Sequence, residues 1–207
     1  MNNFNRGGGI LTSLPPVTKV ILLLNIVIFL LDLLTGHTII KYLALYSINT
    51  RAFQPYQIVS HMFLHGGFGH IFFNMFALFM FGRALESVLG SKKFFLLYFL
   101  SGIGAAGLQL LIYYFQNAPA IMIGASGAVF GILIAFAMMF PNVELMFIFL
   151  PIPIKAKYLI PIYAVLELFF GIANFSGDNI AHFAHLGGAI VGFILIKIWK
   201  RNQFNVY

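Results

Sequence analysis

Six apolar runs are the feature that most restricts what this chain can become. They cover Thr18–Leu34, Gly66–Gly82, Phe94–Tyr114, Ala125–Phe140, Tyr158–Ala173 and Ile180–Trp199, with most of the charges in the short segments between them. About 20 apolar residues in a helix cross the hydrocarbon of a bilayer, with ~17 as the usual lower bound. Each run is therefore expected to span a membrane, the fourth and fifth being short and partly sheltered by their neighbours. The stretch Asn142–Leu150, between Pro141 and Pro151, is apolar but too short and is expected to be a buried or interfacial part of a loop. Only 8% of the residues are charged, against ~25% in a soluble domain. The chain thus reads as an all-α membrane protein of six transmembrane helices. Residues 1–17 form a short flexible lead with no cleavable signal peptide, 18–200 the membrane domain, and 201–207 a tail.

Charge orients these spans. With the N-terminus in the cytosol, the inner side holds Arg6, Lys19, Arg83, Lys92, Lys93, Lys155, Lys157, Lys197, Lys200 and Arg201, and the outer side only Lys41 and Arg51. Ten against two is the bias expected of cytoplasmic loops, so both termini are placed inside. The single tryptophan, Trp199, falls among Lys197, Lys200 and Arg201, where an inner-interface anchor belongs. A net charge of +7 could suggest nucleic acid, but these cations are scattered between apolar runs rather than gathered on one face, so nucleic acid is not an expected partner. Cysteine is absent, which excludes disulfides, a thiol nucleophile and a thiolate metal site.

Polar groups inside a span are costly, so their recurrence at one depth points to function. His70 and Asn74 stand i, i+4 on one face of the second run, Ser126 at the outer entry of the fourth, and His185 about one and a half turns into the sixth. Gly127–Gly131 and Gly188–Gly192 are both G-x-x-x-G faces, a spacing that lets two helix backbones approach closely. Packing there would bring the Ser126 hydroxyl to the His185 imidazole. A serine hydroxyl becomes a competent nucleophile when an adjacent base takes its proton. The tetrahedral intermediate then needs donors, which His70, Asn74 and the Ser126 amide could supply at a helix N-terminus. No carboxylate stands out as a third member, so a Ser–His dyad is the simpler expectation, with Asn25, Asp32 and Glu167 unassigned.

The same residues have plainer readings. Gly-Ala-Ser-Gly alone is usually a packing motif, and it is not the G-x-S-x-G elbow of soluble hydrolases. His61 and His65 are expected to hydrogen-bond and shape the outer loop, His182 to enter a helix, His37 to be solvated, and Glu86 to accept bonds at a helix end. His61, His65, His70, His182 and His185 look superficially like the histidine boxes of a membrane metal oxidase. Such sites need more ligands than one further histidine can complete, and they normally face the cytosol.

Taken together, His61-Met-Phe-Leu-His65-Gly-Gly-Phe-Gly-His70-Ile-Phe-Phe-Asn74, Gly82-Arg-Ala-Leu-Glu86-Ser-Val-Leu-Gly90, Gly124-Ala-Ser126-Gly127 and Ala184-His185-Leu-Gly-Gly188-Ala-Ile-Val-Gly192 resemble the rhomboid family of intramembrane proteases. The likeness runs over about residues 18 to 200. It implies a six-helix rhomboid-like bundle with Ser126 as nucleophile, His185 as general base, and an oxyanion hole of His70, Asn74 and the Ser126 amide. Gly124 would shape the turn before the serine, Gly127 and Gly188 the helix contact, and Phe130 the aromatic packed on the base, where the family often has tyrosine. Tyr56-Gln57 stands where the family often has Trp-Arg. The resemblance further implies no cofactor or metal, single-span membrane proteins as substrates, and a gate and cap at the fifth span and Asn174–Ile180. A bacterial plasma membrane is the expected location. The alternative of a catalytically silent rhomboid-like binding protein would lack Ser126 or His185, and both are present.

Overall fold

The computed structural model describes residues 14–117, 119–147, 150–173 and 181–204. Five helices are long and apolar enough to cross a membrane: α1 (Pro16–Leu34), the run Phe68–Leu89, α6 (Ser91–Gln116), α8 (Ala156–Ala173) and most of α9 (His182–Phe204). A sixth apolar helix, α7 (Ser126–Met139), has 14 residues. At ~1.5 Å per residue it is about 21 Å long, short of the ~30 Å hydrocarbon layer. Ten of those residues, from Gly127 to Ala137, are buried, so α7 is the centre of the bundle and its neighbours face outward. Such burial removes the need for α7 itself to match the bilayer.

Between α1 and the second long run lie α2 (Thr38–Leu43), the short strand β1 (Leu45–Tyr46), α3 (Gln57–Ser60) and one 3₁₀ turn over His61–Phe63. The second run is α4 (Phe68–Ala77), a π segment over Leu78–Gly82 and α5 (Arg83–Leu89). The expected end at Gly82 is therefore too early: the helix continues to Gly90, whose φ of +76° turns the chain into α6. Gly82 is a packing point instead, since a Cβ there would stand 3.0 Å from both Leu78 and Phe94.

α1 begins at Pro16 without a capping side chain of its own. Glu86 supplies the cap from the far end of the second run. Its Oε1 accepts from the Val17 amide and the Ser91 hydroxyl, and its Oε2 from the Thr18 amide and hydroxyl, all at 2.7–2.9 Å. The carboxylate thereby satisfies helix donors left open by geometry and sits at the positive end of α1.

Strand β2 (Ile121–Met122) pairs antiparallel with β1, Leu45 opposite Met122, and fastens the segment leading into α7 to the loop after α2. The apolar stretch after α7 differs from expectation. β3 (Glu144–Phe147) and β4 (Leu150–Lys155) form an antiparallel hairpin, where an irregular loop, buried or interfacial, was expected. Met146 and Ile152 are exposed there, because alternate residues of a two-stranded ribbon must point away from the protein. The cap expected at Asn174–Ile180 and the lead 1–13 lie outside the described residues.

Small residues set the spacing of α6, α7 and α9. A Cβ on Gly188 would run into the Gly127 carbonyl, and one on Gly192 would come within 2.5 Å of the Gly131 carbonyl. α6 joins the same seam: a Cβ on Gly131 would collide with Ser101, one on Gly127 with Ala105, and one on Gly187 would lie 2.6 Å from the Gly104 carbonyl. The two G-x-x-x-G faces do meet, and the Ser-Gly-x-Gly-Ala-Ala stretch of α6 is a third contributor the sequence reading did not use. Close backbone approach of this kind maximises van der Waals contact where lipid gives no hydrophobic drive between helices.

Candidate active site

Ser126 is the first residue of α7, and the segment before it is held from two sides. The Gly124 amide donates to the His61 carbonyl at 2.9 Å, and the Ser47 amide to Ala120 at 2.9 Å. Gly124 has φ +124°, a backbone state open to glycine and strained for other residues. A Cβ there would also stand 2.7 Å from His70 Nε2 and 3.7 Å from Ser126 Oγ. His70 Nε2, Gly124 and the serine hydroxyl therefore converge on one small space.

His185 sits in the first turn of α9, earlier in its helix than expected because that helix starts at His182. Its Nε2 is 2.8 Å from Ser126 Oγ. Gly127 and Gly188 stand directly below in the helix contact, which fixes this distance through the backbone rather than through side-chain reach. The Phe130 ring, one turn after Ser126, stacks on the imidazole at 4.4 Å between centroids and 7° between planes. Tyr163 of α8 also packs against Phe130, at 4.9 Å between centroids and tilted by 44°. Gln109 of α6 accepts the Ala184 amide at 3.2 Å and so caps the start of α9.

His70 and Asn74 share one face of α4. The Gly66 amide donates weakly to His70 Nδ1 at 3.4 Å, which leaves Nε2 as the protonated nitrogen on the side of Gly124. Asn74 is buried and donates through Nδ2 to the His70 carbonyl at 2.9 Å. That bond holds the amide on its own helix. His65 packs edge-on against His70 at 5.0 Å between rings. Both loop histidines are buried. Burial pushes the His61 imidazole down to about 4; burial with His70 beside it pushes that of His65 to about 3. His37, by contrast, is exposed and bonded to Asp32 at 2.8 Å.

One carboxylate left unassigned by the sequence reading is at the site. Glu167 of α8 is buried, and its Oε2 lies 2.7 Å from Nδ1 of His185 and 2.7 Å from Nδ1 of His182. Its signal was available: it is an acid near the middle of an apolar span with no other acid in it, which by cost marks a functional candidate. Glu167, His182 and His185 also present donor atoms within 4.8 Å of one another, a set chemically able to ligate a metal. Their geometry suits protons better. Two imidazoles on a single oxygen at 2.7 Å are at charge-assisted hydrogen-bond length. Ligands of a tetrahedral ion, each ~2.0–2.2 Å from it, stand roughly 3.3 Å apart.

Comparison with known proteins gives the family of the chain. The family model described as Rhomboid domain matches residues 52–202, and the chain belongs to the rhomboid family. It is 32% identical over 185 residues to the rhomboid-type YdcA of Bacillus subtilis, covering 87% of this chain and 86% of that one. It is 32% identical over 192 residues to rhomboid-like protein 11, chloroplastic, of Arabidopsis thaliana, covering 89% and 65% of the two chains. Rhomboid protease GluP of Bacillus subtilis is 31% identical over 184 residues, or 86% of this chain and 34% of GluP. The chain therefore spans nearly all of the first relative but only about a third of GluP.

Proposed function

We propose that this rhomboid-family membrane protein is a serine endopeptidase that cleaves single-span membrane proteins in or near their transmembrane segment. The observation that carries the reading is the 2.8 Å contact between Ser126 Oγ and His185 Nε2, at the head of a helix buried in the bundle. In this reading α7 is the fourth of six spans, both termini are cytosolic, and the site lies in the outer half of the bilayer of a bacterial plasma membrane.

The chemistry follows from the atoms present. His185 Nε2 takes the Ser126 proton as Oγ attacks the scissile carbonyl, then returns it to the leaving amine; water repeats the cycle on the acyl-enzyme. The developing oxyanion is placed beside His70 Nε2–H and the Ser126 amide, which opens α7 with the positive end of the helix behind it. Asn74 joins this hole by turning its amide from the His70 carbonyl toward substrate. Phe130 keeps the imidazole in plane. α7, at about 21 Å, is shorter than the membrane; with its serine end recessed below the outer surface, water must reach Ser126 from that side. A helical substrate hides its carbonyls in hydrogen bonds, so cleavage is favoured where Gly, Pro or polar residues open the helix.

The test is cleavage of a panel of purified single-span substrates by the parent and by Ser126→Ala, with product masses read by spectrometry. The expected result is complete loss in the variant, cuts near the outer end of the substrate span, and labelling of Ser126 by a fluorophosphonate. Cleavage that persists in Ser126→Ala, or that chelators abolish and added metal restores, would overturn it.

A further inference from the structure

We propose that Glu167 is the positioning residue of the catalytic base, so that the site works as a Ser126–His185–Glu167 relay of hydrogen bonds with His182 as a second tether on the same carboxylate. This rests on the Ser–His reading above and adds a member to it.

The geometry is specific. His185 uses both ring nitrogens: Nε2 toward Ser126 Oγ at 2.8 Å and Nδ1 toward Glu167 Oε2 at 2.7 Å. A carboxylate accepts and does not donate, so Nδ1 carries the hydrogen and Nε2 is left with its lone pair facing the serine. That is the tautomer a general base needs. When Ser126 attacks, its proton moves to Nε2, Nδ1 keeps its own, and the imidazolium formed lies against the anion of Glu167. No proton passes to Glu167, and the leaving amine later takes the one on Nε2.

His182, three residues earlier on the same face of α9, also places Nδ1 2.7 Å from Oε2. Two N–H donors on one buried oxygen lower the cost of holding a carboxylate at this depth. The groups facing Glu167 are thus His182 and His185 from α9 and Tyr163 from its own helix, while His70 faces His185 from α4. Gly171, one turn beyond Glu167, is the point where α8 comes close to α9: a Cβ there would lie 3.1 Å from His182 Cβ and 3.3 Å from Phe183. A bulkier residue would hold the carboxylate away from the base.

Glu167→Gln separates this role from a merely structural tie between helices. The amide keeps size and one acceptor but loses the charge and offers an N–H to the imidazoles. The expected result is kcat down on the order of 10²-fold or more, KM within about twofold, and fluorophosphonate labelling of Ser126 slowed by the same factor as kcat, all per folded molecule. Acting only as a structural tie, Glu167 would instead lower thermal stability while folded molecules kept their labelling rate. Should the amide variant not fold, Glu167→Met, of similar volume and without polar atoms, is scored in the same way. Cleavage lost in Ser126→Ala but retained within threefold per folded molecule in either Glu167 variant overturns this proposal alone. Cleavage retained in Ser126→Ala overturns the serine reading beneath it.

Discussion

Two walls enclose the candidate site, and they are built differently. α7 and α9 meet backbone to backbone through Gly127, Gly131, Gly188 and Gly192, with α6 filling the third side. In the most apolar 18-residue window of each span, 44% of the α9 residues are buried and only 17% of those of α8. α8 is held by Ala156, Ile160 and Glu167, while Val165, Phe169 and Ile172 face outward. Ser126 and His185, the proposed nucleophile and base, thus stand on the tight wall, where backbone atoms already touch across the seam. The carboxylate that orients the base stands on the loose one. Rigid packing guards the 2.8 Å contact between Ser126 and His185; in the proposed function the weaker wall is the side for lateral entry of a substrate, and it carries Glu167 with it.

The largest expected effect comes from forcing the tight wall apart. Gly188→Val puts a branched side chain into the Gly127 carbonyl, and no rotamer relieves a clash with backbone. Cleavage should vanish and the melting temperature in detergent fall steeply, whereas Ile190→Ala on the exposed face of the same helix should change neither. A folded, active Gly188→Val protein would mean that the seam is not what sets the distance.

Acid probes the tight wall from its loop, where His61 receives the Gly124 amide on its carbonyl. Folded His61 and His65 titrate near 4 and 3, against 6.5 for an unburied imidazole. Between those limits the unfolded chain binds protons that the folded one refuses, so stability is full above pH ~6.5 and drains as pH falls. Each histidine should cost on the order of 3–5 kcal/mol across its window. Melting curves from pH 7 to 4.5 should show the decline, and His61→Gln should flatten it; a flat parent profile would remove buried histidine from the account.

On the loose wall, smaller responses are expected. Gly171→Ala adds one methyl where α8 approaches His182 and Phe183, asking them to give by a few tenths of an ångström. Since α8 can yield outward, kcat should drop by roughly three- to tenfold with little change in melting temperature, through the Glu167 contact. A loss equal to that of Gly188→Val would erase the distinction between the walls. Smallest of all, Val165→Ala and Ile172→Ala, on the outward face, should leave stability within ~0.5 kcal/mol and cleavage within twofold.

Much of this was legible in sequence because membrane helices announce themselves by length and apolarity, and because Ser126, His70 and His185 are polar residues set in apolar runs. The glycine seam could be read for two helices from i, i+4 spacing. Other features could not. Whether Arg83–Leu89 turns or continues as helix is decided by Gly90 and by the docking of Glu86 on α1, a contact 68 residues long. The hairpin after α7 is apolar in composition like a buried segment, and only pairing across it sets its shape. Glu167 was visible as a lone acid in an apolar span but could not be joined to His185 without knowing how α8 faces α9.

The cap that Glu86 places on α1 also has a meaning in time. A ribosome delivers Val17 and Thr18 some 68 residues before the acid that will accept their amides. The first span therefore enters the membrane with its leading turn unfinished, its donors served by interfacial water. It can be locked in register only after the second run has been made down to its last turn and Ser91 has followed. Glu86 makes the completion of one apolar helix wait upon the synthesis of the next, so a chain interrupted between them holds a first helix without its cap.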